Sequence, residues 1–502
     1  MSQDRDYYLV PDETIEVPYE VVCQPPPAES SVATIHKHEL TGETLETLTL
    51  QTEGSGTATI QLSARTVEDS PLFVEFAFER ADARPPRVTA TRAFSLATPI
   101  PWRVEAPADA KPGEAFTATV AEWAGLAYDR PGEGTPFPGL ELERVPQATQ
   151  DAVKWRAGDG DLDATGCSAQ VTLAEDLLGQ EVVLQAFLGD APPDPNEARA
   201  TVKVPRVEVL QRHVVAAGET LDAIAQAHGA ASAQALLDHA GNAALKTQRS
   251  TPAAVTTGDE VWIPAVEGTP DVVFQGGRAL VRALVTPAVE GTFAWTVEGG
   301  EQVTVVQDPD DPARAELTGV TATEGEATLT VRCALTSTAT STEYPGTRAV
   351  KVEDRTVEVR FQKWPGVDGD GRGIEGLAFR TVLGDEVIQE GTTDAEGLAA
   401  VRCPEDTVTV ELLWDGSPVA RYGVSLRAGA AEAATTRTGH QRRLFGLGYH
   451  LGHNATAADG IDGEAGYYTD TAILNFQIDQ KVDFDGTVGS TTRTKLTTAA
   501  GY

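Results

Sequence analysis

One short phrase occurs twice near the end of this chain, and it restricts the fold of that segment more than any other feature does. The first copy is Asp462-Gly463-Glu464-Ala465-Gly466-Tyr467-Tyr468-Thr469, running on to Ala472 and Ile473. The second is Asp485-Gly486-Thr487-Val488-Gly489-Ser490-Thr491-Thr492, running on to Lys495 and Leu496, with Phe476-Gln477 between the two. Both read D-G-x-x-G-x-x-T-x-x-[AK]-[IL]. Each Asp-Gly signals a tight turn, because glycine supplies the positive φ such a turn needs. A threonine or its neighbour then caps a helix, and Ala472, Ile473 and Phe476 fall at helical spacing on one apolar face. The pattern predicts a small helical unit with two similar loop-to-helix entries.

The rest of the chain reads differently. At 502 residues it is too long for one core, and several domains are expected. Residues 1–98 show no helical period. Alternating runs at 15–22, 47–51, 58–62 and 73–78 argue for an antiparallel β-sandwich. Residues 99–206 repeat the pattern, with runs at 102–105, 116–120, 153–155 and 181–187, and read as an immunoglobulin-like sandwich. The Gly/Pro-rich stretch 128–138 within it is expected to be an irregular loop. Residues 270–353 form a third, immunoglobulin-like sandwich, with Trp295 and Cys333 expected on facing core strands. Residues 355–428 form a fourth β module, and 429–440, rich in Ala and Thr, a linker to residues 441–502.

Residues 207–266 predict the order strand, helix, helix, strand. His213-Val214-Val215 is a short strand, and Leu221, Ile224 and Ala225 share one helical face. Leu236 and Leu237 centre a second helix, and Gly258-Asp259-Glu260-Val261-Trp262-Ile263-Pro264 turns into a closing strand. With Gly218-Glu219-Thr220-Leu221-Asp222-Ala223-Ile224-Ala225 before it, this resembles a LysM domain. The resemblance implies a βααβ fold and a shallow groove for N-acetylated glycan at Gly218, Glu219, Thr220 and Leu221. Asp238-His239-Ala240-Gly241-Asn242 stands where the family has Asn-Pro, and 245–257 is extended. That phrasing is similar to LysM modules encoded with contractile injection and type VI secretion machines, where the module docks on protein instead. For Thr220 a helix cap is the competing role.

Leu447-Gly448-Tyr449, the doubled phrase and Phe476-Gln477 together resemble the peptidoglycan-binding domain at the ends of many wall hydrolases. The resemblance implies a three-helix bundle that holds wall without cutting it, with Tyr449, Asp462, Thr469, Gln477, Asp485 and Thr492 as binding residues. The stretch 452–460 is longer than the family's first loop, which borders the implied ligand groove. In the fourth module, Gly391-Thr392-Thr393-Asp394-Ala395-Glu396-Gly397-Leu398 resembles a turn of prealbumin-like or carboxypeptidase-regulatory-like domains. The expected fold class is therefore multidomain and mainly β, immunoglobulin-like and prealbumin-like, with a LysM-like module and a C-terminal three-helix bundle.

Charge and compartment narrow the function. The net charge is −36, of which residues 207–266 carry −3 and 441–502 carry −2, leaving −31 on the β modules and connections. A field of that sign repels nucleic acid and anionic lipid, and neither is an expected partner. The start, Met1-Ser2-Gln3-Asp4-Arg5-Asp6, does not read as a signal peptide, and no long apolar run predicts membrane insertion. Synthesis in the cytoplasm is expected, with delivery by a contractile or type VI-like machine or by lysis. Cys23, Cys167, Cys333 and Cys403 stand far apart and read as reduced core residues.

Nothing in the sequence assembles a catalytic site. His36 with His38, or His450 with His453, could each supply two metal ligands, but a catalytic metal needs a third and a base. The carboxylates nearest the second pair, Asp459 and Asp462, sit in turn positions that Asp-Gly geometry already explains. Asp368-Gly369-Asp370-Gly371-Arg372-Gly373 lacks the later Glu of a calcium loop, and Asp159-Gly160-Asp161-Leu162-Asp163 reads as a turn. No G-x-S-x-G, H-E-x-x-H or phosphate-binding loop is present. The expectation is a protein with no enzymatic activity, cofactor or metal that binds peptidoglycan and acts with a contractile injection or type VI-like apparatus. The alternative is a baseplate, spike or tail accessory of such a machine, and a wall hydrolase ranks third.

Overall fold

The computed structural model describes residues 8–9, 14–21, 31–37, 39, 42–50, 54–61, 66–79, 87–130, 133–190, 198–366, 372–426, 432–452 and 459–501. Among these the chain is mainly β, its strands pairing into seven sheets. It divides into two units. The first comprises Met1–Val207, Leu284–Phe293 and Ala334–Pro345, the second Glu208–Ala283, Ala294–Cys333 and Gly346–Tyr502. The segment expected as a third sandwich, 270–353, is thus shared between them.

In the first unit one strand, Arg87–Glu105, serves two cores. Its first half pairs antiparallel with Leu72–Glu79 and its second half with Ala115–Arg130, so the expected boundary at 98/99 falls inside a strand. On the first side Leu72, Val74 and Phe76 alternate inward against Ala33, Ile35 and Leu96. On the second, Trp123 and Trp155 are buried with Val171, Leu184 and Val202. The Trp155 indole donates to the Gly166 carbonyl at 2.8 Å, the partner a buried indole requires. The buried Asp109 carboxylate accepts hydroxyls from Ser337 (2.7 Å), Thr340 (2.5 Å) and Tyr344 (2.6 Å). Those three bonds account for the segment Ala334–Pro345 belonging to this unit.

The stretch 128–138 is not an irregular loop. Ala115–Arg130 continues into it, and Glu133–Leu140 folds back as a paired strand. Pro136 and Pro138 are tolerated because this strand pairs, among the described residues, only with Ala115–Arg130 and so lies at an edge. Gly125 makes room for Phe137, whose ring would lie 1.9 Å from a Cβ there.

In the second unit, Arg206–Val214 pairs antiparallel with Glu260–Ile263 and, on its other side, joins Arg278–Thr286, Arg314–Gly319 and Val303–Gln307 in one five-stranded sheet. Helices Leu221–Ala227 and Ala233–Asp238 lie between the first two strands, burying Leu221, Ile224, Leu236 and Leu237. The extension 245–257 adds a helix, Ala243–Gln248, and a 3-10 turn, Pro252–Ala254. Trp295 and Cys333 do not face each other across a sandwich. Their strands, Gly291–Glu298 and Leu329–Ser337, are neighbours in one sheet, ordered Asp271–Phe274, Glu343–Glu353, Leu329–Ser337, Gly291–Glu298.

Strands Thr356–Arg360 and Leu398–Arg402 pair with each other, while Glu386–Thr392, Ala378–Leu383, Thr407–Trp414 and Ser417–Ser425 form a second sheet around Phe379, Val401, Val408 and Val410. In the turn 391–398 the Asp394 carboxylate accepts the Glu396 and Leu398 N–H groups at 3.0 and 2.7 Å. Three helices follow, Arg437–Gly446, Tyr467–Asp479 and Ser490–Ala500. The first begins inside the expected linker, capped by Thr436, whose hydroxyl accepts the Gly439 N–H at 3.0 Å. Of the four cysteines, Cys333 and Cys403 are buried, Cys167 is half-buried, and Cys23 lies outside the described residues. No helix of the described residues is long and apolar enough to cross a membrane.

Candidate functional site

The C-terminal helices enclose Leu444, Leu447, Tyr449, Ile473, Phe476 and Leu496, and two equivalent clasps close the loops between them. In the second, the Gln477 amide nitrogen donates to Asp485 Oδ1 (2.9 Å), the Thr487 carbonyl (3.0 Å) and Thr492 Oγ1 (3.2 Å). Its amide oxygen accepts the Gly486 N–H at 2.9 Å. The first repeats this bond for bond. Gln441 donates to Asp462 Oδ1 (2.8 Å), the Glu464 carbonyl (3.1 Å) and Thr469 Oγ1 (3.1 Å), and accepts the Gly463 N–H at 2.7 Å. Both glutamines are fully buried, and each sets its two amide N–H donors among three acceptors while its amide oxygen accepts one N–H. The doubled phrase is therefore the visible half of a helix–clasp–helix unit whose other half is a glutamine in the preceding helix.

Five of the six residues singled out in this module are thus engaged inside the clasps, Asp462 and Thr469 by Gln441, and Asp485 and Thr492 by Gln477. The Gln477 amide and the Thr487 N–H hold the Asp485 carboxyl below the usual carboxylate range. The sixth, Tyr449, is buried, its ring edge-on to Phe476 and its hydroxyl donating to Asp479 at 2.5 Å. Burial, and then Asp479, push its phenol well above the usual range.

The clasps differ in what they enclose. Gln441 and Asp462 are 21 residues apart, Gln477 and Asp485 only 8, so the first loop carries 13 additional residues. Its described part forms one wall of a cleft of about 260 Å³ lined by Phe445, Gly448, Tyr449, His450, Leu451, Gly452 and Asp459. The lining residue His450 meets the Tyr468 ring edge to face at 5.2 Å, and Tyr467 meets Tyr468 at 5.4 Å. Gly452 permits this, since a Cβ there would lie 2.5 Å from the Tyr468 ring. Tyr467 and Tyr468 are 78% and 51% exposed. Gln441, His450, Tyr467 and Tyr468 were not singled out in this role from sequence. The signal for Gln441 was its helix position ahead of an Asp-Gly phrase, matching Gln477.

In residues 207–266 the four named residues take local roles. Gly218 turns the chain at φ +82°, with open space where a Cβ would stand. Thr220 Oγ1 accepts the Ala223 N–H at 3.2 Å, the helix-cap role, and Leu221 is core. The Glu219 carboxylate accepts the Ala216 N–H at 2.9 Å and meets His213 Nε2 at 2.8 Å. Burial pushes the Glu219 carboxyl up, but the Ala216 N–H and His213 outweigh it and hold it below its ordinary value. Asn242 ties the second loop to the closing strand through the Trp262 N–H (2.7 Å) and carbonyl (2.8 Å).

Among the described residues no three His, Cys, Asp or Glu side chains converge as metal ligands. His36 lies against Thr44 and the Gly42 carbonyl, both at 3.4 Å, and Asp161 pairs with Arg156 at 2.7 Å. His38, His453 and Asp368-Gly369-Asp370-Gly371 lie outside the described residues.

No protein-family model and no curated protein matches the chain. Among solved structures, the three N-terminal domains of the bacteriophage RB49 outer capsid protein Hoc are similar at 8% identity, covering 69% of this chain and 95% of that one, with a TM-score of 0.27. The ICAM-5 D1–D4 ectodomain fragment is 13% identical over 85% of this chain and 98% of its own (TM-score 0.18). Domains 1–6 of the surface layer protein SbsC are 10% identical over 84% and 66% (TM-score 0.14). Scores of this size carry no inference about this chain.

Proposed function

We propose that the chain is a non-catalytic, multidomain peptidoglycan-binding protein that acts with a contractile injection or type VI-like apparatus. Its β modules, immunoglobulin-like and prealbumin-like in pattern, serve as spacers, and the C-terminal module carries the wall contact. The observation behind this reading is the aromatic group beside the C-terminal cleft, in which His450 lines a space of about 260 Å³, Tyr468 packs on His450 and Tyr467 on Tyr468. Aromatic faces with polar tips bury the apolar C–H faces of a sugar ring while hydroxyl groups bond at the edges. The clasp residues act indirectly, by holding the loops that shape this cleft. The test is co-sedimentation of the full chain with insoluble peptidoglycan. Tyr468→Ala removes the central ring and lowers the bound fraction several-fold, and an unchanged bound fraction contradicts the assignment.

A second reading, a structural part of such a machine in which the LysM-like module docks on protein, is favoured by one observation. Glu219, Thr220 and Leu221 are engaged within their own fold, and the second loop is remodelled by helix Ala243–Gln248. On this reading N-acetylglucosamine oligomers leave the resonances of Gly218 to Leu221 unshifted. Saturable shifts there return a glycan-holding role to the module.

A further inference from the structure

An arm of the fourth β module reaches the cleft of the C-terminal helices. Its two legs are joined where the Lys363 N–H donates to the Arg372 carbonyl at 2.9 Å and where Gln362 bridges Gly373. Three contacts carry this arm onto the segment that walls the cleft. The Gly366 N–H donates to the Leu447 carbonyl at 3.0 Å. Pro365 lies 3.7 Å from where a Cβ of Gly448 would stand, an ordinary van der Waals approach. Arg372 Nη1 lies 3.6 Å from Asp479 Oδ2, the same oxygen that accepts the Tyr449 hydroxyl at 2.5 Å. The Arg372 guanidinium also donates to the Pro365 carbonyl, fixing the arm's own turn.

Asp479 is thus a shared acceptor. One oxygen serves Tyr449, whose ring lines the cleft, and Arg372, which belongs to another module. A tyrosine hydroxyl donating to a carboxylate is a charge-assisted bond, and a cation beside that carboxylate helps to hold it in place. We propose that the fourth β module is the intramolecular partner of the C-terminal helices, and that its arm, through Arg372 on Asp479 and Gly366 on Leu447, holds the cleft wall 447–452 in place. The site-bearing unit is then residues 356–502, not the three helices alone. This inference concerns the same cleft as the binding proposal and rests on that reading only for its biological use, since the docking has its own readout.

The experiment is hydrogen exchange by mass spectrometry on the full chain, comparing wild type with Arg372→Ala and Arg372→Lys. Arg372→Ala is expected to speed exchange several-fold at the Gly366 amide and across 447–452, with the helices Tyr467–Asp479 and Ser490–Ala500 unchanged. Arg372→Lys, which keeps a cation near Asp479, restores most of the protection. Should Arg372→Ala disturb the fourth module itself, Asp479→Ala removes the acceptor from the other side and is expected to give the same local pattern. Unchanged protection at Gly366 and 447–452 in both alanine variants overturns the proposal. Peptidoglycan co-sedimentation of the same samples is read separately. Wall that fails to retain the wild type overturns the binding reading alone, while the exchange result still decides the docking.

Discussion

Replacing Gln477 by alanine isolates what a clasp contributes. The wild-type side chain makes four hydrogen bonds from a fully buried position. Alanine strands the Gly486 N–H and removes a donor from Asp485, the Thr487 carbonyl and Thr492. Thr487 and Asp485 lie toward the surface, where water can replace the lost partner, so the uncompensated loss falls mainly on Gly486 and Thr492. With each buried group left unpaired costing about 1–3 kcal/mol, and the small void adding to it, a loss of about 3 kcal/mol is expected. The chain has several domains, so a single unfolding midpoint does not report it. Hydrogen exchange in helices Tyr467–Asp479 and Ser490–Ala500 does, and about 3 kcal/mol of easier opening corresponds to exchange roughly a hundredfold faster. Gln441→Ala is expected to produce a similar effect on the first two helices. Acceleration of less than about tenfold in both variants refutes the view that the clasps hold this module together.

Acidification tests the same loop. The Asp485 carboxyl is held below its ordinary value by Gln477 and the Thr487 N–H, so the carboxylate's contribution is fully present above the unfolded carboxylate range and is lost as pH falls through the lowered folded value. Helix protection in the C-terminal module is therefore expected to stay level down to about pH 4 and fall below it, and a flat response below pH 4 counts against the clasp geometry. In the second unit, Arg348 is 1% exposed, meets Asp271 at 2.6 Å and donates to the Val209 and Ile263 carbonyls at 2.9 and 2.7 Å. Arg348→Ala removes both carbonyl bonds and leaves the largely buried Asp271 carboxylate only His228, at 3.7 Å, and is expected to cost about 3–5 kcal/mol, read as lost exchange protection in Arg206–Val214 and Glu260–Ile263.

Strand and helix positions were legible wherever side-chain periodicity is local. Leu72, Val74 and Phe76 alternate, and Leu221, Ile224 and Ala225 share a helical face, because each element buries one side. What stayed hidden depended on distant partners. Arg87–Glu105 changes its pairing partner midway without a break in composition, so no sequence signal marks 98/99. Glu133–Leu140 carries Gly and Pro that read as loop until its edge position is known. Trp295 and Cys333 sit on adjacent strands because strand order, unlike strand identity, is not written in periodicity. In the C-terminal module the repeat was visible but its meaning was not. Gln441 stands 21 residues before its aspartate and Gln477 only 8, so the shared clasp was masked by the 13 additional residues of the first loop.

The central claim is that the C-terminal cleft holds peptidoglycan with the aromatic group beside it. The most direct measurement is the fraction of full-length chain pelleted by purified insoluble peptidoglycan, for wild type, for Tyr468→Ala, and for Phe484→Ala as another exposed aromatic of the same module. The account predicts that wild type and Phe484→Ala pellet alike and that Tyr468→Ala stays largely in solution. Wild type remaining in solution, or all three pelleting equally, contradicts it.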